Sequence, residues 1–314
     1  MSKVTIIGAG NVGATIANDL ATMGIASEIV LIDINKEKAF GEAMDIYQGV
    51  TFASPAYVRS GDYEDAAGSD LVVITSGIAR RPNQTRLDLI QTNTKIIKDI
   101  TPQIVAHAPN AVYVIVSNPV DILTHVFHKI SGIPESRIVG SGTALDTARL
   151  QAELGRRFHI SPKNVHAYVY GEHGDSSFVP WSLARIANNT IEQHYRLVTG
   201  KEPFDWNGNY EEVEDFIRKS GAQVIKAKGA TFYAVAMSVC HICKCILSGI
   251  GTSLTVSSMM HGEYGIDDVC LSTLAVVDDC GIRYKIINEL TDDEVAKLRH
   301  SADCLKEVIG QIEI

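Results

Sequence analysis

A histidine between two glycines is the residue of this sequence best suited to acid–base chemistry. His173 stands in the stretch Gly-Glu-His-Gly-Asp-Ser at 171–176, after the apolar run 165–170 that predicts a strand. The small neighbours leave the imidazole room to meet a ligand, and imidazole exchanges protons near neutral pH. We predict that His173 gives a proton to a bound small molecule and takes it back. The alternative is a histidine packed in the core.

A carboxylate and a guanidinium lie about one helical turn apart upstream of this histidine. Asp146 and Arg149 fall within the predicted helix 144–158, and their spacing puts both on one helix face. A carboxylate beside an imidazole fixes its tautomer, and an arginine binds a ligand carboxylate through two parallel hydrogen bonds. We expect Asp146 to serve His173 and Arg149 to hold a substrate carboxylate. The alternative is an ion pair on a helix surface.

Three arginines lie in one loop, at 77–86, with the sequence Gly-Ile-Ala-Arg-Arg-Pro-Asn-Gln-Thr-Arg. The loop follows the apolar run 71–75, so it is expected at the carboxyl edge of a sheet, where ligands bind. A loop of this kind can close as a lid and bring a guanidinium onto a carbonyl oxygen. We predict a lid whose catalytic group is Arg86, although a solvated surface has the same composition.

A glycine-rich turn, Gly-Ala-Gly-Asn-Val-Gly at 8–13, lies between a predicted strand and a predicted helix. The free amides at the helix start suit a pyrophosphate. Asp33 ends the next strand, where a carboxylate accepts ribose hydroxyls and repels a 2′-phosphate. The pattern therefore predicts NAD as the cofactor, in preference to NADP. The residues expected to line its site are Gly8, Gly10, Asn11, Val12, Gly13, Asp33, Ser76 and Gly77.

These groups must be positioned by an α/β fold, because short apolar runs alternate with longer amphipathic segments. Strands are expected at 4–7, 29–32, 71–75, 112–116 and 137–140, and helices at 11–23, 36–47 and 86–106. Runs that are apolar on both faces indicate a doubly wound parallel sheet of the Rossmann type. We assign 1–140 to this dinucleotide-binding domain.

The regular alternation of predicted strands and helices ends after residue 140, and we assign 141–314 to a mixed α/β substrate domain. Helices are expected at 144–158, at 213–247 with an interruption at 228–229, and at 292–310. Thr291 precedes the last helix and Glu294 follows three residues later, which is the pattern of a capping box.

Composition excludes several classes of partner. The 314 residues carry a net charge of -9, which argues against nucleic acid or an anionic membrane as the main partner. The apolar run at the start, 4–7, is too short for a signal peptide or a membrane span, so we expect a cytoplasmic protein. Cys240, His241, Cys243 and Cys245 invite a metal interpretation, but the apolar helix around them favours thiol packing, and no metal is predicted.

Together these motifs resemble the L-lactate/malate dehydrogenase family over essentially the whole chain. The matching segments are 8–13 with Asp33, 80–93, 117–121, 140–149, 171–176 and 228–231. The resemblance implies an NAD-dependent oxidoreductase for small 2-keto and 2-hydroxy acids. By this resemblance, His173 is the acid–base residue and Asp146 is its partner. Arg149 is then the residue that binds the substrate carboxylate, and Arg86 is the arginine of the lid. It also implies that Asn118 orients substrate and nicotinamide, and that the protein is a homo-oligomer, a tetramer or dimer, in cytoplasmic central carbon metabolism.

Two substrates are compatible with this resemblance. Most motifs follow the lactate pattern, including Val235, an apolar residue on the nicotinamide side, and Thr231, which narrows the space for a second carboxylate. Arg80 departs from it, since lactate enzymes usually carry glutamine there and malate enzymes an arginine that pairs the second carboxylate. We predict L-lactate dehydrogenase activity, with malate dehydrogenase as the alternative.

Two further predictions concern regulation by an effector and the competing functional classes. His166 matches a histidine that binds fructose 1,6-bisphosphate in many bacterial lactate dehydrogenases, but Gln151 replaces the expected arginine, so activation should be weak or absent. A non-catalytic NAD sensor would have no need for the four residues found together here, which are His173, Asp146, Arg149 and Arg86. An NAD-using glycosidase would need metal ligands that we do not find in the sequence.

Overall fold

Six parallel strands form the first half of the computed structural model, in which residues 2–78, 86–200 and 210–313 are described. They lie in the order β6-β5-β4-β1-β2-β3. The order reverses between β1 and β4, so the carboxyl ends of these two strands open a crevice suited to a ligand. The strands are β1 Lys3–Ile7, β2 Glu28–Ile32, β3 Tyr57–Ser60, β4 Leu71–Ile74, β5 Val112–Ile115 and β6 Ile138–Gly140.

Helices cover both faces of this sheet. Alternate residues of one strand enter different cores: Ile6 joins a cluster with α1 and α2, whereas Ile7 joins one with α3 and α4. This alternation confirms the doubly wound prediction. The helices are α1 Asn11–Thr22, α2 Lys36–Gly49, α3 Arg86–His107 and α4 Val120–Ser131.

The strand β3 and the helix α4 were not predicted from the sequence. The short strand β3 lies at the edge of the sheet with only Val58 buried, so it lacks a clear alternating pattern. The helix α4 is buried almost all round its first two turns, so it lacks the polar face by which an amphipathic helix is found in a sequence.

Three further strands extend the same sheet beyond β6, in the order β11-β10-β9-β6. They are β9 Thr252–His261, β10 Asp267–Asp278 and β11 Gly281–Lys285, and they pair antiparallel. The register Gly140↔Ser257 joins β9 to β6. These strands were not located from the sequence, although the expected mixed α/β character of the second half is present.

The second half also holds five helices and a small ribbon within its described residues: α5 Ala144–Arg157, α6 Ile191–Thr199, α7 Tyr210–Lys228, α8 Tyr233–Ser248, α9 Asp292–Ile309, β7 Val165–His166 and β8 Arg185–Ile186. The predicted interruption at 228–229 separates α7 from α8. The capping box at Thr291 and Glu294 is confirmed by both of its hydrogen bonds. The predicted strand 165–170 is wrong in extent, because only 165–166 pair as β7.

The cysteines of α8 belong to the core cluster that includes α1, and the Cys240 thiol donates to the carbonyl of Ile16 at 3.6 Å. Cys240 and Cys243 are fully buried, and burial raises the pKa of the Cys243 thiol to about 12. In the described part of the chain, one group has metal-ligand spacing, formed by Asp278, Asp279 and Cys280. Over the same residues, no helix combines the length and the apolar character that a membrane crossing requires.

Candidate functional site

The glycine-rich turn joins β1 to α1 and is shaped by close contacts. Gly8 has a φ of +110°, and a Cβ on Gly13 would lie 1.9 Å from the carbonyl oxygen of Gly8. The Thr75 hydroxyl donates to the carbonyl of Gly8 at 2.9 Å, which fastens the turn to β4. At Gly10, by contrast, a Cβ would meet nothing within 4 Å.

This open space fits a phosphate. Gly10 is the N-cap of α1 and provides no side-chain hydrogen bond to the first amides of that helix. Those amides and the positive end of the helix dipole therefore face the open side of the turn. Asn11, Val12 and Gly13 supply the first turn, so the residues present fit a dinucleotide pyrophosphate.

Asp33 lies directly after β2 and beside this turn. Its Oδ2 accepts the amide hydrogen of Ala9 at 2.7 Å, and its Oδ1 accepts that of Asn35 at 2.8 Å. Both oxygens keep further lone pairs, and the residue is half-buried. A carboxylate held in this way can accept the two hydroxyls of a ribose and disfavours a 2′-phosphate.

The buried side chain of Asn93 on α3 connects the start of the predicted lid, at Ile78, to the segment that follows β5, at Asn118. The side chain of Asn93 accepts from Ile78 N at 2.9 Å and donates to the carbonyl of Asn118 at 2.7 Å. Asn118 is exposed, and Ser76 and Gly77 lead from β4 toward Ile78. Asn93 lies inside a matching segment of the sequence, but its own role was not predicted. Its polar side chain at a buried helix position was the available signal.

His173 and Asp146 form a direct pair. The Nδ1 of His173 lies 2.5 Å from Oδ2 of Asp146, and the histidine side chain keeps 26% of its exposure. The charge of Asp146 raises the pKa of His173 to about 9 against the opposing effect of burial. Although burial raises the pKa of Asp146, the positive charges of His173 and Arg149 hold it below its ordinary value.

Arg149 completes this group from the same helix, α5. Its guanidinium donates to Oδ1 of Asp146 at 2.9 Å. An arginine has further N–H groups beyond the one used in this bond, so it can still bind a carboxylate in the cleft. Gly221 of α7 faces it, and a Cβ added at Gly221 would lie 3.5 Å from the guanidinium, so α7 closes one side of the site.

The loop that carries His173 is fastened from two sides by residues that sequence reasoning did not assign. The amide of His173 donates to Oδ2 of Asp121 at 2.7 Å, and the amide of Glu172 donates to Ser301 Oγ at 2.7 Å. Asp121 comes from α4 and Ser301 from α9. Asp121 belongs to a matching sequence segment, but its spacing from His173 offered no signal of contact.

The remaining predicted residues are distributed around this centre. Val12 and Val235 pack partly buried against one core cluster, so α1 and α8 border the same region. Thr231 is half-buried just before α8. Arg80 lies outside the described residues, and Arg86 begins α3 without a described side chain.

The two predicted effector residues, His166 and Gln151, lie on β7 and α5. His166 is exposed on β7, and Gln151 donates to the carbonyl of Ala167 at 3.3 Å. The expectation of weak or absent activation by a sugar bisphosphate stays a prediction.

Comparisons with known proteins match the entire described architecture. Residues 2–140 match the lactate/malate dehydrogenase NAD-binding domain, and 143–313 match the alpha/beta C-terminal domain of the same family. An L-lactate dehydrogenase of Clostridium botulinum is 45% identical over 98% of this chain and 96% of its own length. One from Thermoanaerobacterium saccharolyticum is 44% identical over the full length of both chains.

A solved structure gives the same result. The minor L-lactate dehydrogenase of Enterococcus mundtii, crystallised with ligands bound, superposes with a TM-score of 0.95 and is 37% identical, covering 100% of this chain and 99% of that one. These relatives match the chain in identity and coverage. Together with the glycine-rich turn and the pair of His173 and Asp146, they support one assignment. The chain belongs to the lactate/malate dehydrogenase family and is an NAD-dependent oxidoreductase acting on a CH–OH group.

Proposed function

We propose that this protein is an L-lactate dehydrogenase, which reduces pyruvate with NADH to L-lactate and catalyses the reverse reaction. The observation that carries the proposal is the 2.5 Å pair of His173 and Asp146 with Arg149 on the same carboxylate. This arrangement supplies an acid–base group and a carboxylate clamp for a 2-keto acid. The relatives reported above are L-lactate dehydrogenases, so the malate alternative, based on Arg80, is not favoured.

The cofactor fits the crevice at the ends of β1 and β4. In our proposal the turn at Gly8, Gly10 and Gly13 holds the pyrophosphate and Asp33 the adenosine ribose. Ser76, Gly77, Asn118 and Val235 border the nicotinamide. When bound, NAD supplies the hydride chemistry, since its nicotinamide ring accepts or gives a hydride.

The protein residues then handle charge and the proton. In imidazolium form His173 donates through Nδ1 to Asp146, and Nε2–H is left to protonate the substrate oxygen as it becomes an alkoxide. Arg149 fixes the substrate carboxylate through paired hydrogen bonds, which orients the reacting carbon. Arg86, once the lid closes, would stabilise the developing charge on the same oxygen. Thr231 would limit the space beside the substrate methyl group.

We also propose the division into a cofactor domain, 1–140, and a substrate domain, 141–314, with assembly into a homo-oligomer. Exposed apolar residues on one stripe of α2 support assembly: Phe40 is 59% exposed, Met44 49% and Tyr47 47%. A cytoplasmic location and a role in fermentation at the end of glycolysis follow from the proposed activity.

The substrate assignment is tested by initial rates of NADH oxidation with pyruvate and with oxaloacetate, on the parent and on Arg80→Gln. We expect kcat/KM to favour pyruvate in the parent, and the substitution to lower residual oxaloacetate activity because it removes a charge for the second carboxylate. His173→Asn is the control, which should bind NADH and lose turnover with both substrates. A parent that prefers oxaloacetate, with the preference reversed by Arg80→Gln, would establish malate as the substrate instead.

A further inference from the structure

A second buried carboxylate, besides that of Asp146, acts on His173. Asp121 lies in the first turn of α4 and is 2% exposed. Its Oδ2 accepts the backbone N–H of His173 at 2.7 Å, across 52 positions of sequence. Its Oδ1 has no hydrogen-bond partner among the described residues, and the buried hydroxyl of Ser257 lies near the carboxyl group.

Stability of α4 does not explain this placement. Pro119 is the N-cap of α4 without a side-chain cap bond, and the bond described for Asp121 leaves the helix for another loop. Burying a carboxylate is costly unless charge and hydrogen bonds compensate it. The amide of His173 and the positive end of the α4 dipole offset part of that cost at the catalytic loop, although burial still raises the pKa of Asp121. The free-energy cost of burying Asp121 is therefore incurred at the point where its carboxylate holds the main chain of His173.

Asp146 and Asp121 hold different parts of the histidine. Asp146 bonds the imidazole ring, whereas Asp121 bonds the main chain from which the ring projects. Two anchors define both the location of the residue and the direction of its ring. With the ring anchor alone, His173 could move with the loop, and Nε2 would leave the line of proton transfer.

The charged side chains around His173 form one electrostatic group. Asp121 and Asp146 are carboxylates and Arg149 contributes one positive charge, so an imidazolium at His173 brings these four groups to neutrality. The buried carboxyl of Glu172, next to His173 in the sequence, also acts on Asp121 and opposes its ionisation. Asp121 adds to the effect of Asp146 in raising the pKa of His173. Burial raises the pKa of Asp121 itself to about 6, so its charge is present at neutral pH and lost in acid.

We propose that Asp121 is a positioning residue for the acid–base step, which anchors the main chain of His173 and supplies the second negative charge that favours its imidazolium form. The inference rests on the proposed function, since it assigns the proton transfer to His173. It adds a residue that acts through His173 and does not contact the substrate.

The test compares Asp121→Asn with Asp121→Ala. Asparagine keeps an oxygen that accepts the His173 amide but removes the charge, whereas alanine removes both. The pH profile of pyruvate reduction, the KM for pyruvate, and NADH binding followed by fluorescence are measured for each. A matched control is Asp293→Asn, which changes a carboxylate in the first turn of α9, where Asp293 pairs with Lys297 on the surface.

We expect both variants to lower the pH at which reduction falls off, by about half a unit or more, because each loses the charge. Asp121→Asn should keep its kcat below that pH within about threefold of the parent, and Asp121→Ala should lose about tenfold or more. NADH affinity should stay close to the parent value in both, and Asp293→Asn should match the parent throughout.

Two results would overturn the inference. One is an Asp121→Ala enzyme with the parent kcat and pH profile. The other is a fall in kcat that is no larger than the fall in the number of NADH-binding sites per chain, because such a result would mean only that less of the protein is folded. Because asparagine has the same shape as aspartate, Asp121→Asn still shows the effect of the lost charge on the pH profile if the alanine variant does not fold. An inactive parent would overturn the proposed function as well, whereas an active parent with unaffected variants would overturn this inference alone.

Discussion

At the scale of single residues, the protonation of His173 is determined by its charged neighbours. Asp146 is the largest influence and raises the pKa of His173 to about 9, while Arg149 acts in the opposite direction. The imidazolium form therefore predominates at neutral pH. That form is the proton donor needed for keto-acid reduction, and the neutral form is the acceptor needed for hydroxy-acid oxidation.

The two directions of the reaction should consequently depend on pH with opposite sign. We expect kcat/KM for pyruvate reduction to fall as pH rises toward and past 9, because the imidazolium loses its proton. For lactate oxidation, kcat/KM should rise over the same interval. Initial rates in both directions across this range provide the measurement, with Asp146→Asn as a variant whose transition should move to lower pH. Parallel pH profiles in the two directions would contradict the assignment of His173.

At the scale of elements, three glycines of one turn have different physical roles. Gly8 adopts a positive φ that side chains disfavour, and Gly13 allows the turn to lie against its own helix. A Cβ added at Gly10 would have no neighbour within 4 Å, so the fold itself does not require a glycine there. The requirement at Gly10 comes from a ligand that approaches the backbone.

A pair of alanine variants separates these roles. Gly13→Ala places a Cβ 1.9 Å from the carbonyl of Gly8 and should lower the free energy of unfolding by about 1–3 kcal/mol. Gly10→Ala should change it by less than about 1 kcal/mol and weaken NADH binding about tenfold or more. Thermal or urea unfolding and NADH titration are the measurements. Parent-like NADH affinity in Gly10→Ala would place the pyrophosphate elsewhere.

At the scale of the whole molecule, one set of exposed apolar residues lies on α2 and in the segment that follows it. Phe40, Met44 and Tyr47 recur at helical spacing on one side of α2, and the neighbouring face buries Ala39 and Ala43. The loop after α2 adds Phe52, which is 93% exposed. In the proposed homo-oligomer, this patch is expected to contact another subunit.

The mass in solution tests this proposal. Light scattering on the parent should give a multiple of the chain mass of 34.1 kDa. Met44→Glu should shift the protein to a smaller species, because a charge in an apolar interface is left unpaired. Ile287→Glu, at a residue that is 54% exposed outside the patch, should leave the mass unchanged. A parent of single-chain mass, or an oligomer indifferent to Met44→Glu, would contradict assembly through α2.

The sequence by itself determined the features that depend on local spacing. The strand, turn and helix around Gly8 and Gly13 were predictable because one short segment contains all three. Asp146 and Arg149 lie on one helix face because they are three residues apart, and the capping box at Thr291 has a fixed offset. The alternation of five strands with helices likewise indicated the doubly wound sheet.

Only the tertiary structure decided which distant groups meet. The bond from His173 to Asp121 spans 52 positions, and no local spacing encodes a contact made by packing α4 against the loop. The strands β9 and β10 extend the sheet and are buried for most of their length, but buried serines and threonines, such as Ser257 and Ser272, interrupt the apolar runs by which the first five strands were predicted. The sequence therefore determined the chemical groups and their local frames, and long-range burial determined their joint geometry.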